Sequence, residues 1–209
     1  MFFQLNQKLI FPDPVLAEED GLLAVGGDLS VPRLVLAYRQ GIFPWYAEGE
    51  PILWFSPRQR FVLAPEEIRI SHSMRQLMNS GKYEVRWNTA FEKVIYNCSK
   101  IKRKGQRGTW IHPNMIQAYI ALHQKNIAQS VEVWQGENLI GGLYGVVTGK
   151  VFCGESMFSL LPNTSKLALI DLCTSGRFDL IDCQVHTAHL ENMGAKFMRR
   201  EEFIKALDM

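Results

Sequence analysis

The chain has 209 residues, 47% of them hydrophobic and 21% charged, and carries a formal net charge of +2. This composition suits one large domain, or one domain with a smaller appendage, around a sizeable core. It excludes an argument for a nucleic-acid partner from total charge, leaving only the distribution of charge to speak for one.

Residues 1–60 are rich in Pro, Gly and aromatics and read as a small N-terminal domain. The opening stretch, Met1–Lys8, is too short and too polar for the apolar region of a secretory leader. Gly21–Leu29 reads as a short strand ending in a Gly26-Gly27-Asp28 turn. Neither phosphate-loop spacing accompanies those glycines, so they do not make a nucleotide site. Ser30 is positioned to cap a helix to Gln40, which Gly41 stops. Aromatics then sit beside prolines in Ile42–Tyr46 and Ile52–Pro57. Most of them suit packing between domains, and Trp45, on the turn, is the best candidate for a wall on which a base stacks.

Residues 61–209 read as the main domain. Arg60–Leu63 and Tyr83–Asn88 are predicted strands, and Ser71–Met78 and Phe91–Cys98 predicted helices. A basic loop with two glycines follows, carrying Lys100, Lys102, Arg103, Lys104 and Arg107. It reads either as a solvated loop or, with Arg75 of the Ser71–Met78 helix and Trp110 just beyond, as a contact to a nucleic-acid backbone. Met115–Gln124 is amphipathic. Ser130–Gln135 and Leu139–Val147 form a hairpin, and Lys150–Ser159 pairs next. Then come a helix (Lys166–Thr174), a strand (Leu180–Val185), a helix (Ala188–Met193) and a closing strand (Phe197–Arg200). This order describes an α/β (α+β) fold, a mixed sheet with flanking helices. No apolar run reaches membrane-spanning length. The four cysteines, Cys98, Cys153, Cys173 and Cys183, form no C-x-x-C pair. Three lie in apolar segments and read as buried thiols of a reducing compartment, so a cytoplasmic protein is expected.

The unusual stretch is Val151–Lys166, where Gly154 and Glu155 interrupt an apolar strand. Strict alternation puts Cys153, Glu155 and Met157 on one face and Phe152, Ser156 and Phe158 on the other. Glu155 between Cys and Met therefore belongs to a pocket at a strand end or to an edge strand, and Gly154 allows close approach. A second carboxylate, Asp182, sits in the apolar run Leu180–Val185, with Gln184 its i+2 neighbour on the same strand face. The central sheet is expected to run out near both acids. No nucleophilic triad is present, and neither Cys183/His186 nor His186/His189 has a zinc spacing, so no metal is expected. What remains is acid–base and positioning chemistry by Glu155, Asp182 and Gln184.

The segments Gly21–Leu29, Gly41–Trp45, Trp54–Pro57, Gly108–Ile111, Ser130–Trp134, Gly141–Gly145, Phe152–Ser159 and Ile181–Gln184, in this order over nearly the whole chain, resemble the leucyl/phenylalanyl-tRNA–protein transferases. The resemblance implies an acyl-CoA N-acyltransferase-like domain after the small N-terminal one. It implies transfer of Leu or Phe, with Met a further candidate, from aminoacyl-tRNA to the α-amino group of proteins beginning with Arg or Lys, marking them for degradation, with no cofactor. By the same resemblance Asp182 attracts the proton, Gln184 orients the nucleophile and Glu155 holds the α-ammonium of the bound amino acid. Leu143, Phe152, Met157 and Ile181 line its side-chain pocket, and Trp45 and Trp110 stack near the terminal adenosine. The family commonly has His where this chain has Gln129. A CoA-dependent acetyltransferase is disfavoured by the missing pyrophosphate loop, and a purely RNA-binding module leaves Glu155 and Asp182 unexplained.

Overall fold

The computed structural model describes residues 2–101 and 109–207. In chain order the strands are β1 (Phe3–Leu5), β2 (Leu22–Gly26), β3 (Phe43–Pro44), β4 (Leu53–Phe55), β5 (Gln59–Leu63), β6 (Glu84–Trp87), β7 (Ala128–Gln135), β8 (Asn138–Thr148), β9 (Val151–Ser159), β10 (Leu180–Gln184) and β11 (Lys196–Arg199). The helices are α1 (Val31–Arg39), α2 (His72–Asn79), α3 (Phe91–Lys100), α4 (Pro113–Gln124), α5 (Thr164–Thr174), α6 (Ala188–Asn192) and α7 (Arg200–Leu207). Among the described residues no helix is long and apolar enough to cross a membrane.

The strands form two sheets. The smaller has the order β1-β2-β4-β3; the larger, seven-stranded, has the order β11-β5-β10-β9-β8-β7-β6. Pairing in the large sheet is antiparallel except between β9 and β10, which run parallel. A parallel pair needs a crossover, and α5 supplies it. One face of the sheet packs on α3 and α4, where a core of Phe91, Ile95, Tyr119, Tyr144, Cys153 and Phe158 continues into Trp54, Leu34 and Tyr38 of the N-terminal part. The other face packs on α5, with Leu143, Phe152, Leu169, Leu172 and Ile181. Each face thus buries an independent apolar layer.

Several sequence expectations need correction. α7 continues directly from β11 where only a closing strand is expected, because Arg200 turns inward and donates to the Ser56 carbonyl at 2.8 Å. Ser30 occupies the N-cap of α1 without a side-chain cap bond. α5 starts at Thr164, two residues before the expected Lys166, with Asn163 at its N-cap in a left-handed conformation, φ 70°.

The alternation in β9 breaks as well. Tyr144 pairs with Ser156 and Gly145 with Gly154, leaving Glu155 as an extra residue in a bulge. Cys153 keeps its expected face, but Met157 joins the α5 layer with Phe152, and Phe158 joins the opposite one. A bulge inserts one residue and so exchanges the faces beyond it. Gly145 faces this bulge, and a Cβ there would lie 2.3 Å from the Cys153 carbonyl oxygen, so only glycine fits. Glu155 accordingly lies inside β9 rather than at a strand end.

One buried carboxylate is purely architectural. Glu132 is fully buried and accepts hydrogen bonds from the Thr89 and Ala90 backbone N–H groups and from the Thr89 and Ser130 hydroxyls. It ties β7 to the unpaired N–H groups at the start of α3. Glu132→Ala leaves the buried Ser130 hydroxyl and the start of α3 without their shared acceptor and is expected to lower stability by about 2 kcal/mol, read from the midpoint of denaturant unfolding.

Candidate active site

β9 and β10 pair through Leu180–Val151, Ile181–Phe152 and Asp182–Cys153, and no further. Beyond that point β9 bulges at Glu155, and β10 turns at Gln184, whose φ is +60°. A three-residue turn closes there, with the Val185 N–H donating to the Cys183 carbonyl at 2.7 Å. A left-handed non-glycine residue carries backbone strain, which persists where the surroundings hold it. The two parallel strands part, and a cavity of about 370 Å³ opens between them.

The cavity brings together every candidate catalytic and substrate-binding residue of the sequence reading. Glu155, Asp182 and Gln184 line it together with Trp45, Trp110, Leu143, Phe152, Gly154, Met157 and Ile181. Leu169 and Leu172 of α5 and Leu190 of α6 complete its apolar part. Trp45 is 42% exposed and leans on Phe55. Arg75 lies on the exposed face of α2 and does not line the cavity. Lys102, Arg103, Lys104 and Arg107 fall outside the described residues.

The two acids are held in different ways. Asp182 is fully buried, and Arg60, itself 1% exposed, grips its carboxylate with Nε at 3.1 Å and Nη2 at 2.6 Å. Arg60 also donates to the Gly41 carbonyl and is sandwiched between the rings of Phe43 and Phe203, each 4.6 Å away. Asp182 Oδ1 takes the Gln184 backbone N–H at 2.8 Å, so this acid fixes the turn as well. The regular i, i+2 strand geometry expected for Asp182 and Gln184 does not hold. Asp182 pairs with Val62 and Gln184 with Phe61, a register shift that sends the two side chains to different partners.

Glu155 is held by neutral donors. Tyr38 of α1 donates to Oε1 at 2.6 Å, Tyr119 of α4 to Oε2 at 2.9 Å, and Gln184 Nε2 to Oε1 at 2.7 Å. The two tyrosine hydroxyls are themselves 2.5 Å apart. Burial outweighs these donors and raises the Glu155 carboxyl to about 7. Burial and the neighbouring Glu155 push both tyrosines well above their ordinary value, so they remain donors. Of the roughly four acceptor positions of a carboxylate, these donors take three, and among the described residues none takes the second position on Oε2.

The sequence reading missed Tyr38, Tyr119 and Arg60. The tyrosines look like ordinary members of apolar helix faces. Arg60 leaves a signal, a charge at the start of the apolar run Phe61–Leu63 that asks for a buried partner. The cysteines form no disulfide, and burial pushes Cys173 up to about 12 and Cys183 higher still, which makes these two poor nucleophiles. Among the described residues no group of three or more His, Cys, Asp and Glu is placed to hold a metal.

The fold and this cavity define a mixed α/β enzyme whose polar centre, a carboxylate with two tyrosines and an amide, closes one end of an apolar pocket. Residues 62–208 match the family described as leucyl/phenylalanyl-tRNA protein transferase, and residues 27–58 match the N-terminal domain of the same family. The chain belongs to the leucyl/phenylalanyl-tRNA–protein transferase family, and is a transferase. The leucyl/phenylalanyl-tRNA–protein transferase of Flavobacterium psychrophilum is 51% identical over 206 residues, covering 97% of this chain and 98% of that one. The one from Syntrophus aciditrophicus is 55% identical over 202 residues, covering 95% and 84%. Among solved structures, a GCN5-related N-acetyltransferase from Kribbella flavida aligns with a TM-score of 0.39 at 7% identity, covering 77% of this chain and 58% of that one.

Two expectations follow from the charges. Tyr38→Phe removes a donor that favours the ionised Glu155, so the carboxyl rises above about 7. If activity needs the ionised form, the acid limb of kcat/KM falls through about pH 7 and moves to higher pH in the variant, by roughly 0.5–1 unit. Arg60→Met strands the buried Asp182 and should cost about 3–5 kcal/mol, while the pair Arg60→Met with Asp182→Leu recovers much of it. Thermal melts of the three variants check this.

Proposed function

We propose that the enzyme transfers Leu or Phe, with Met a further candidate, from aminoacyl-tRNA to the α-amino group of cytoplasmic proteins beginning with Arg or Lys. The acceptor so gains an N-terminal residue that marks it for degradation. The observation that carries this reading is a pocket apolar in its depth and ionisable at one end, with Trp45 and Trp110 among its lining residues. The names of the relatives support the donor and the broad acceptor class.

In this reading Leu143, Phe152, Met157, Ile181 and Leu169 receive the amino-acid side chain. Met157 and the leucines adapt to branched and aromatic shapes alike. Trp45 and Trp110 stack with the terminal adenosine. The ester linking amino acid to ribose is already activated, so positioning and proton transfer suffice, and no cofactor is needed. The acceptor enters as an ammonium and must lose a proton before its nitrogen attacks the ester carbonyl. The new C–N bond then forms as the C–O bond to the ribose breaks; the attacking nitrogen gives up its second proton to the leaving ribose oxygen, and the first proton passes from the base to water.

The structure favours Glu155 over Asp182 as the group that takes the acceptor's proton. Arg60 and the Gln184 N–H already hold the oxygens of Asp182. Glu155 has a carboxyl near 7 and, among the described residues, no donor on the second position of Oε2, conditions that suit a general base at neutral pH. The Gln184 amide donates its N–H to Glu155, which leaves its oxygen to orient the incoming amine. Asp182 then acts through Gln184, by holding the turn. A carboxylate at the pocket also attracts an acceptor that begins with a cationic residue.

The test is transfer of labelled Phe from Phe-tRNA to a protein beginning with Arg, with an N-acetylated copy as control. Transfer to the free but not the acetylated N-terminus is expected, and absence of transfer overturns the acceptor assignment. Glu155→Gln should lower kcat at least 100-fold with the KM for Phe-tRNA little changed. A raised KM for Phe-tRNA at unchanged kcat would instead return Glu155 to holding the donor's α-ammonium.

A further inference from the structure

Gln184, Phe61 and Phe197 lie side by side across three neighbouring strands, Gln184 paired with Phe61 on β5 and Phe61 with Phe197 on β11, the outermost strand of the large sheet. This row leads from the polar centre of the cavity to the sheet edge. Its outer half is an aromatic ledge. The His186 ring lies over Phe61 at 4.9 Å and stacks on Phe197 at 5.7 Å and 20°. Phe197 is 57% exposed, Val185 44% and the His186 side chain 42%.

Single exposed apolar side chains are ordinary on a protein surface. Here Phe61, Phe197 and His186 touch one another, and Val185, next to His186 in the chain, lines the cavity, so the ledge adjoins the site. The left-handed turn at Gln184 creates this continuity: it aims Gln184 at Glu155 and delivers Val185 and His186 to the rim. Glu191 holds the His186 ring at 2.9 Å and fixes the stack.

We propose that this ledge seats the second and third residues of the acceptor polypeptide and selects for apolar or aromatic side chains there. The inference rests on the acceptor reading above. An amine at Gln184 starts the acceptor chain at the inner end of the row. Two strand spacings, about 10 Å, separate Gln184 from Phe197, the reach of about three extended residues. Glu155 lies at the inner end and Glu191 beside His186, and the cations flanking Phe197 on β11, Lys196 and Arg199, are paired with Glu67 and Glu202, so the ledge suits a polypeptide better than the phosphates of RNA.

The experiment is steady-state transfer of Phe from saturating Phe-tRNA to two peptides, one beginning Arg-Phe-Phe and one beginning Arg-Ser-Ser, with the wild type, Phe197→Ser and Phe197→Leu. The wild type should favour the aromatic peptide by about tenfold in kcat/KM, carried by KM. Phe197→Ser should erase that preference, and Phe197→Leu should keep most of it. In each case the KM for Phe-tRNA stays unchanged. Equal use of both peptides by the wild type, or a preference that survives in Phe197→Ser, overturns the ledge while leaving the acceptor reading intact. A KM for Phe-tRNA that rises in Phe197→Ser assigns the ledge to RNA and overturns the proposal. No transfer to either peptide overturns the acceptor reading, and the ledge with it.

Discussion

Past Asp182 and Cys153, the parallel strands β10 and β9 cease to share hydrogen bonds, and the functional features gather in the gap. Backbone freed from a ladder must find other partners or face water. On β9 the answer is the bulge at Glu155. On β10 it is the turn at Gln184, held by the Asp182 carboxylate and the Cys183 carbonyl. Both irregularities point polar side chains at the same volume, and the intact part of the sheet beneath supplies Phe152, Ile181 and Leu143 as an apolar wall. Ligands in open α/β sheets commonly bind where parallel strands separate, and the geometry here follows from the same cause.

Two carboxylates in one apolar region repel each other and resist burial. The protein treats them unequally. Asp182 receives a full opposite charge from Arg60, whose own burial is made tolerable by the Gly41 carbonyl and two phenyl rings. Glu155 receives only neutral donors, so its desolvation stays partly uncompensated and its carboxyl rises to about 7. One acid becomes part of the scaffold, and the other is left able to exchange a proton near neutral pH.

The N-terminal part takes a direct share in this arrangement. Tyr38 comes from α1, Phe43 and Trp45 from the segment after it, and the Gly41 carbonyl caps the guanidinium of Arg60. A continuous core joins Leu34, Tyr38 and Trp54 to Tyr119, Tyr144 and Cys153. The small sheet therefore holds one side of the site against the large one, and loss of packing between them would disturb Glu155 and Asp182 together.

Much was legible in the chain itself. Period-two and helical patterns place most strands and helices to within a few residues, since local propensity and burial agree there. The oddity of Glu155, Gly154 and Asp182 in apolar strands is visible because polar groups in such runs need a reason. The face of Met157, the partnership of Arg60 with Asp182 and the donors to Glu155 were not legible. A bulge depends on the neighbouring strand's register, which lies outside the local pattern. Tyr38, Tyr119 and Glu155 are far apart in sequence, as are Arg60 and Asp182, and each set meets only when the sheet is assembled. By itself, then, the sequence determined which elements form and which acids are out of place, because those follow from local periodicity. Only the tertiary structure decided which acid is paired with a buried cation and which is held by neutral donors alone, because that depends on which distant side chains are buried beside each one.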